Sequence, residues 1–154
     1  MARAPAAAAR PAADFTVIGY RWNPCRVITV TSTGPDVTAV VNELATITGL
    51  RFQIVSGPAQ IMVGWGAVPA SGEIGQTNWT ASNPWLLHVT ITISPAATSY
   101  LPTLLRHEFG HAVGLDHAKQ PNEVMYGTVG AGSPSDYQAG DLAGLRSVGT
   151  SAGC

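Results

Sequence analysis

The chain predicts an α+β domain, because its strand and helix patterns segregate along the sequence instead of alternating. One helix pattern follows the first strand, four strand patterns then run together, and two helix patterns close the chain. Strands are read from β-branched clusters and period-two alternation, helices from apolar residues recurring every three to four positions. The 154 residues suit one domain with one core, and no internal repeat interrupts the order.

The elements follow in turn. Residues 1–14 are an Ala/Pro tract, interrupted by Pro5 and Pro11 and without the Leu/Val-rich stretch of a secretory signal. They read as a flexible tail ahead of a single domain at 15–154. Val27-Ile28-Thr29-Val30-Thr31 is a short β-branched strand between turn residues. Gly34-Pro35-Asp36 then opens a helix, Pro35 suiting its first position and Asp36 its first turn. Val37, Val40, Val41, Leu44, Ala45 and Ile47 keep helical spacing until Gly49 stops it. Phe52-Gln53-Ile54-Val55 and residues 60–65 are two more strands. Residues 72–80, polar and with glycines, make a poor core strand but a good exposed edge. Leu87, Val89, Ile91 and Ile93 alternate with His88, Thr90, Thr92 and Ser94, the period of a strand with one buried face. Pro102 starts a helix with Leu101, Leu105, Phe109 and Ala112 on its core stripe and Leu104, His107 and His111 opposite. Residues 127–134 are a flexible run. Ser135 and Gln138 form a capping-box pattern for the last helix, which could equally begin a turn later.

Composition narrows the function classes. A net charge of −1 with 11% charged residues leaves no polybasic face for nucleic acid or an anionic membrane. No apolar run approaches the ~18 residues of a membrane span. Low charge with abundant Thr, Ser, Gly and Asn accords with secretion. Cys25 and Cys154 are the two cysteines, and in a secreted domain they pair as one disulfide. The competing role, a thiolate that blocks a metal, needs flanking residues that Trp22-Asn23-Pro24-Cys25 lacks.

The most informative stretch is residues 107–117, which spell H-E-x-x-H-x-x-G-x-x-H with three of the four histidines. On a helix, residues four apart lie ~5–6 Å apart at Cβ, so His107 and His111 can close on one metal. Glu108 sits one step round, able to reach a metal-bound water. Gly114 can adopt positive φ, end the helix and bring His117 to the third ligand position. Three imidazoles leave a fourth tetrahedral site for water, the arrangement of a catalytic zinc. Three unrelated histidines at ligand spacing would be a rare coincidence. His88, on the polar face of a strand without such a companion, is structural. Asp116 competes with His117 as third ligand.

Met125 follows His117 by eight residues, in Val124-Met125-Tyr126, and Asp141-Leu142-Ala143-Gly144-Leu145 comes later. Histidine motif, methionine turn and this closing run together resemble the metzincin clan of zinc endopeptidases, most closely its matrixin branch. The likeness is close across residues 100–149, looser across 26–94, and absent before Trp22. It points to a type secreted by bacteria. It implies a zincin fold: a five-stranded mixed, twisted sheet, two long helices, a C-terminal helix and a cleft across the domain. It also implies that Met125 floors the zinc site and that Asp141 ties the last helix to the methionine turn. In metzincins with Asp as third ligand, that Asp stands three residues after the glycine, where this chain has His117.

By this resemblance the domain is an extracellular zinc endopeptidase and a monomer, with one catalytic Zn²⁺ and Glu108 as general base. A peptide or protein substrate would add as a strand to the edge at 74–78, including Gly75, Gln76 and Thr77. Tyr126 and Gly127, within 126–128, would shape the primed-side pocket. Calcium has no support, since the acidic residues are too sparse for an obvious loop. Two other classes stay open: a zinc-binding module without turnover, and a metal-dependent hydrolase of a non-protein substrate.

Overall fold

The computed structural model describes residues 14–69 and 72–154. The Ala/Pro tract therefore lies outside the described residues, except for its last member, Asp14. The elements are β1 (Val27–Ser32), α1 (Thr38–Thr48), β2 (Arg51–Ile54), β3 (Ile61–Trp65), β4 (Gly75–Ser82), β5 (Trp85–Ile93), α2 (Leu101–Val113) and α3 (Ala139–Ser147). The five strands form one sheet in the order β2-β1-β3-β5-β4. Its first four strands are parallel, and β4 runs antiparallel to β5 at the edge. This is the expected α+β, mixed-sheet architecture.

Register puts Val30, Ile61 and Val89 side by side on neighbouring strands, and all three are buried with Ile28, Val63, Ile91 and Ile93. Met62, between Ile61 and Val63, is exposed. One sheet face is thus the core face, and Val40, Val41 and Leu44 of α1 and Leu105, Phe109 and Ala112 of α2 join it in one cluster. Each such large side chain contributes ~1.5–3 kcal/mol on burial. No helix among the described residues is long and apolar enough to cross a membrane.

Three local expectations need correcting. Helix α1 starts at Thr38, not at Pro35. The Ser32 hydroxyl donates to the Pro35 carbonyl and accepts from Gly34 N–H, which holds a turn, and Asp36 accepts from Thr38 N–H just ahead of the helix. Leu87 is exposed, and Leu86 takes its place in the core. The reason is a bulge: Thr80 pairs with His88 but Ala81 pairs with Leu86, so the alternation slips by one. Leu104 is buried too, so both stripes of α2 are covered, while Leu101 is only partly buried. Of the two starts left open for α3, the structure has the later, with Gln138 as N-cap and a reciprocal capping box to Asp141.

The segment before β1, for which the sequence offered no reading, is a strap over the end of α2. Ile18 N–H donates to the Gly114 carbonyl, Asp116 N–H to that of Thr16, and the Trp22 indole to that of Ala112. The Asp14 carboxylate accepts from Lys119 and Gln120 N–H groups, so Asp14 belongs to the folded domain.

Cys25 and Cys154 form the expected disulfide, with Cα atoms 5.9 Å apart. It fastens the last residue beside β1 across a separation of 129 residues. Reduction is expected to lower stability by about 2–5 kcal/mol, read as a fall in melting temperature with thiol reductant and its absence in a Cys25→Ala, Cys154→Ala variant. Equal melting with and without reductant would contradict this.

Candidate metal centre and cleft

His107 and His111 rise from α2 one turn apart. The Nδ1–H of His107 faces the Val124 carbonyl at 2.7 Å, and that of His111 faces the Leu115 carbonyl at 2.8 Å. A carbonyl only accepts, so each Nδ1 carries the ring proton and each Nε2 is left with a bare lone pair. The two Nε2 atoms stand 3.2 Å apart. Two lone pairs at that distance repel unless a cation lies between them. Two nitrogens at the usual Zn–N distance on a tetrahedral centre lie about 3.3 Å apart, so the spacing fits zinc.

His117 completes the set. Gly114, at φ 125°, closes α2 and reverses the chain, and the ring of His117 comes within 5.3 Å of that of His107 and 4.8 Å of that of His111. One ligating atom from each of the three lies within 4.8 Å of the others. Burial, with the neighbouring His111 adding to it, lowers the His107 pKa to about 3; burial also lowers that of His111. Neutral imidazole is the form a metal needs. Asp116 stays outside the set: its carboxylate accepts from the His117 N–H and fixes the loop.

Beneath the histidines lies Met125, 1% exposed. A Cβ on Gly110 would fall 2.2 Å from its sulfur, so the glycine between the two helical histidines lets Met125 fit under α2. The turn holding Met125 is pinned by Asp141, fully buried, which accepts from Val124 N–H at 2.7 Å and Met125 N–H at 3.0 Å. Glu123 returns the contact by accepting from Gly140 and Asp141 N–H. Since Val124 also supplies the carbonyl that orients His107, the chain α3–Asp141–Val124–His107 is continuous. Glu123 escaped the sequence reading; a carboxylate two residues before the methionine carried no motif of its own.

Glu108 is 4% exposed and points toward β4. Its Oε2 accepts a hydrogen bond from the Thr77 hydroxyl. Burial raises its pKa to about 7, with the Thr77 bond opposing and the charge of Glu73 assisting. That is close to neutral pH, where a carboxyl can both accept and release a proton.

The sequence-based substrate residues divide. Gln76, Thr77 and Gly127 line a cleft of about 270 Å³ with the three histidines, Glu108, Glu73, Trp79 and Asp116. Gly75 instead lies under Glu108, where a Cβ would meet Oε1 at 2.8 Å. Tyr126 lines neither this cleft nor the adjoining one, and forms an isolated bridge with Ala118. Gly127 also packs on the His117 ring, 3.4 Å from where its Cβ would be to Nδ1. Trp79 and Glu73 were not foreseen, although Trp79 shares Thr77's face of the strand by simple alternation. A second cavity of about 250 Å³ adjoins the first, with Ile74, Leu104 and Val129 as its apolar walls. His88 lies away from the cleft, in a larger cavity of about 430 Å³ beside Trp22 and Trp85.

Comparison with known proteins agrees with this geometry. A stretch of 44 residues is 39% identical to human matrilysin, covering 27% of this chain and 16% of matrilysin. The chain thus matches only a small part of that relative's length. The profile of the Matrixin family matches residues 45–148, from α1 through the histidine motif and the methionine turn to the end of α3. The chain belongs to the matrixin family of metallopeptidases.

Proposed function

We propose that this domain is a zinc-dependent endopeptidase, and the paired Nε2 atoms facing each other at 3.2 Å carry the reading. His107, His111 and His117 would hold the metal. Bound there, zinc would lower the pKa of a coordinated water to ~7 and polarise a scissile carbonyl. Glu108 takes the proton of the attacking water and hands it to the leaving amine nitrogen. Its burial and its pKa near 7 support both halves of that transfer. Met125 and Asp141 act through the histidines by fixing the floor and the turn. Similarity to matrilysin supports a peptide substrate.

The peptide adds to β4 as a further strand, since this is an edge strand with its free side beside the cleft. The apolar cavity walled by Ile74, Leu104 and Val129 receives the side chain just after the scissile bond. The disulfide favours an oxidising compartment, so we place the working domain outside the cell. It works as a monomer.

The test is cleavage of casein, an unstructured protein, by the zinc-loaded domain. Cleavage should stop on chelation and return with zinc, and His117→Ala should lose zinc by elemental analysis. Zinc-loaded protein that cleaves no peptide would turn the reading to a binding module. Undiminished zinc in His117→Ala would remove that residue from the site.

A further inference from the structure

We infer that Thr77 is a positioning residue that holds the Glu108 carboxylate in place, so that the substrate-docking strand also orients the proton carrier. The inference rests on the endopeptidase reading for its consequence, but its geometry stands alone. The Thr77 hydroxyl donates to Glu108 Oε2 at 2.5 Å and lies 3.2 Å from the Glu108 main-chain oxygen. Two residues earlier, on the same face of β4, Gly75 leaves room for the other half of the carboxylate. A Cβ there would stand 2.8 Å from Oε1 and 3.1 Å from Cγ of Glu108. One oxygen is therefore held by a hydroxyl, and the space for the other exists because position 75 has no side chain.

This holder is rigid. Thr77 pairs with Ile91 and Gly75 with Ile93, and both isoleucines are completely buried. A glutamate side chain has three rotatable bonds, and among the described residues Thr77 is the side chain that hydrogen-bonds this carboxylate. Without the hydroxyl, Glu108 keeps its place on α2 but loses the contact that selects one rotamer. Positioning of this kind is worth one to two orders of magnitude in rate when lost. The same strand thus has two faces of use: its free edge takes the peptide main chain, and its inward side chains set Glu108. A substrate that pulls on β4 therefore acts on the proton carrier as well.

The experiment uses the zinc-loaded protein, with Thr77→Val to exchange the hydroxyl for a methyl, Thr77→Ala as a smaller hydroxyl-free variant, and Thr77→Ser to keep the hydroxyl. Both hydroxyl-free variants should lower kcat on an unstructured peptide about tenfold, with KM and zinc stoichiometry unchanged. Thr77→Ser should restore the rate. A second readout needs no turnover: acetohydroxamic acid gives up a proton as it chelates zinc, so its affinity reports a correctly placed base. It should bind Thr77→Val about tenfold more weakly than wild type. On a Glu108→Ala background, Thr77→Val should make no further difference. Equal affinity in wild type and Thr77→Val, a Thr77→Val effect that persists without Glu108, or a Thr77→Ser as impaired as Thr77→Ala would each overturn the assignment. Wild type that cleaves nothing would count against the endopeptidase reading alone, since the hydroxamate titration still decides the role of Thr77.

Discussion

Glu108→Ala should yield a folded, zinc-loaded protein whose peptide cleavage is slower by ~10²–10⁴. Structure should survive because Glu108 is not one of the three clustered ligands, and its side chain bonds to Thr77 rather than to a neighbour in the core. Its burial is a cost: the raised pKa, about 7 against an ordinary 4.5, means the folded chain favours the protonated form. The sign follows from linkage. The folded state binds this proton more tightly, so the metal-free wild type loses stability from this group as pH rises from about 4.5 to about 7. Glu108→Ala should lack that decline. His107, lowered to about 3, acts in the other direction, since its stability contribution is lost as pH falls below 6.5. That decline should remain in the mutant. Casein cleavage, zinc content and thermal melts of metal-free protein at pH 5 and pH 8 check all three statements. A mutant that cleaves as fast as wild type would refute the role of Glu108.

Asp141→Ala should cause the largest loss of stability of any single change near the cleft. This carboxylate is wholly buried and accepts from three backbone groups: Val124 N–H at 2.7 Å, Met125 N–H at 3.0 Å and Gln138 N–H at 2.9 Å. Alanine would leave these donors without this partner in a fully buried site. Hydrogen bonds to a charged group are worth ~1.5–3 kcal/mol each, and a stranded buried donor costs ~1–3. Allowing for partial relaxation, we expect a net loss of about 3–5 kcal/mol, which for a domain of this size lowers melting by about 6–20 °C. Zinc affinity should fall with it, because Val124 N–H is held by Asp141 while the Val124 carbonyl orients His107. Asp141→Asn should be intermediate, keeping an acceptor oxygen but turning the other into a donor. Melting of Asp141→Ala within 2 °C of wild type, the value to beat, would show that the turn is held by other means.

The histidine triad, the edge position of β4 and the tie from Asp141 to the methionine turn were all legible before any coordinates. Their signals are local or carried by a motif. What escaped depends on tertiary contact. Leu87 alternates perfectly with its neighbours, yet one extra residue opposite Thr80 and Ala81 turns it to solvent. Leu104 lies on the stripe of the histidines, yet it is buried there as a wall of the cavity beside the cleft, where Gly75 leaves room for its methyl. Thr77 and Gly75 were placed on the correct strand, but only as part of a docking edge, and their inward contacts with Glu108 were not foreseen. No periodicity reports that kind of contact, since it joins residues 31 positions apart.

The strap at residues 14–22 bears on the order in which the domain takes shape. Its partners include Ala112, Gly114, Leu115, Asp116, Lys119 and Gln120, with Pro84 and Leu86 at Arg21, and the Asp14 contacts join residues more than a hundred positions apart. During synthesis from the N-terminus, residues 14–18 are made first and cannot be held until the histidine motif has emerged, whereas Arg21 can meet Pro84 and Leu86 earlier. Closing so long a loop is entropically expensive and is repaid only when both ends are structured. The loop that carries His117 therefore owes its backing to a contact between segments about a hundred positions apart, one that is made only once α2 is in place.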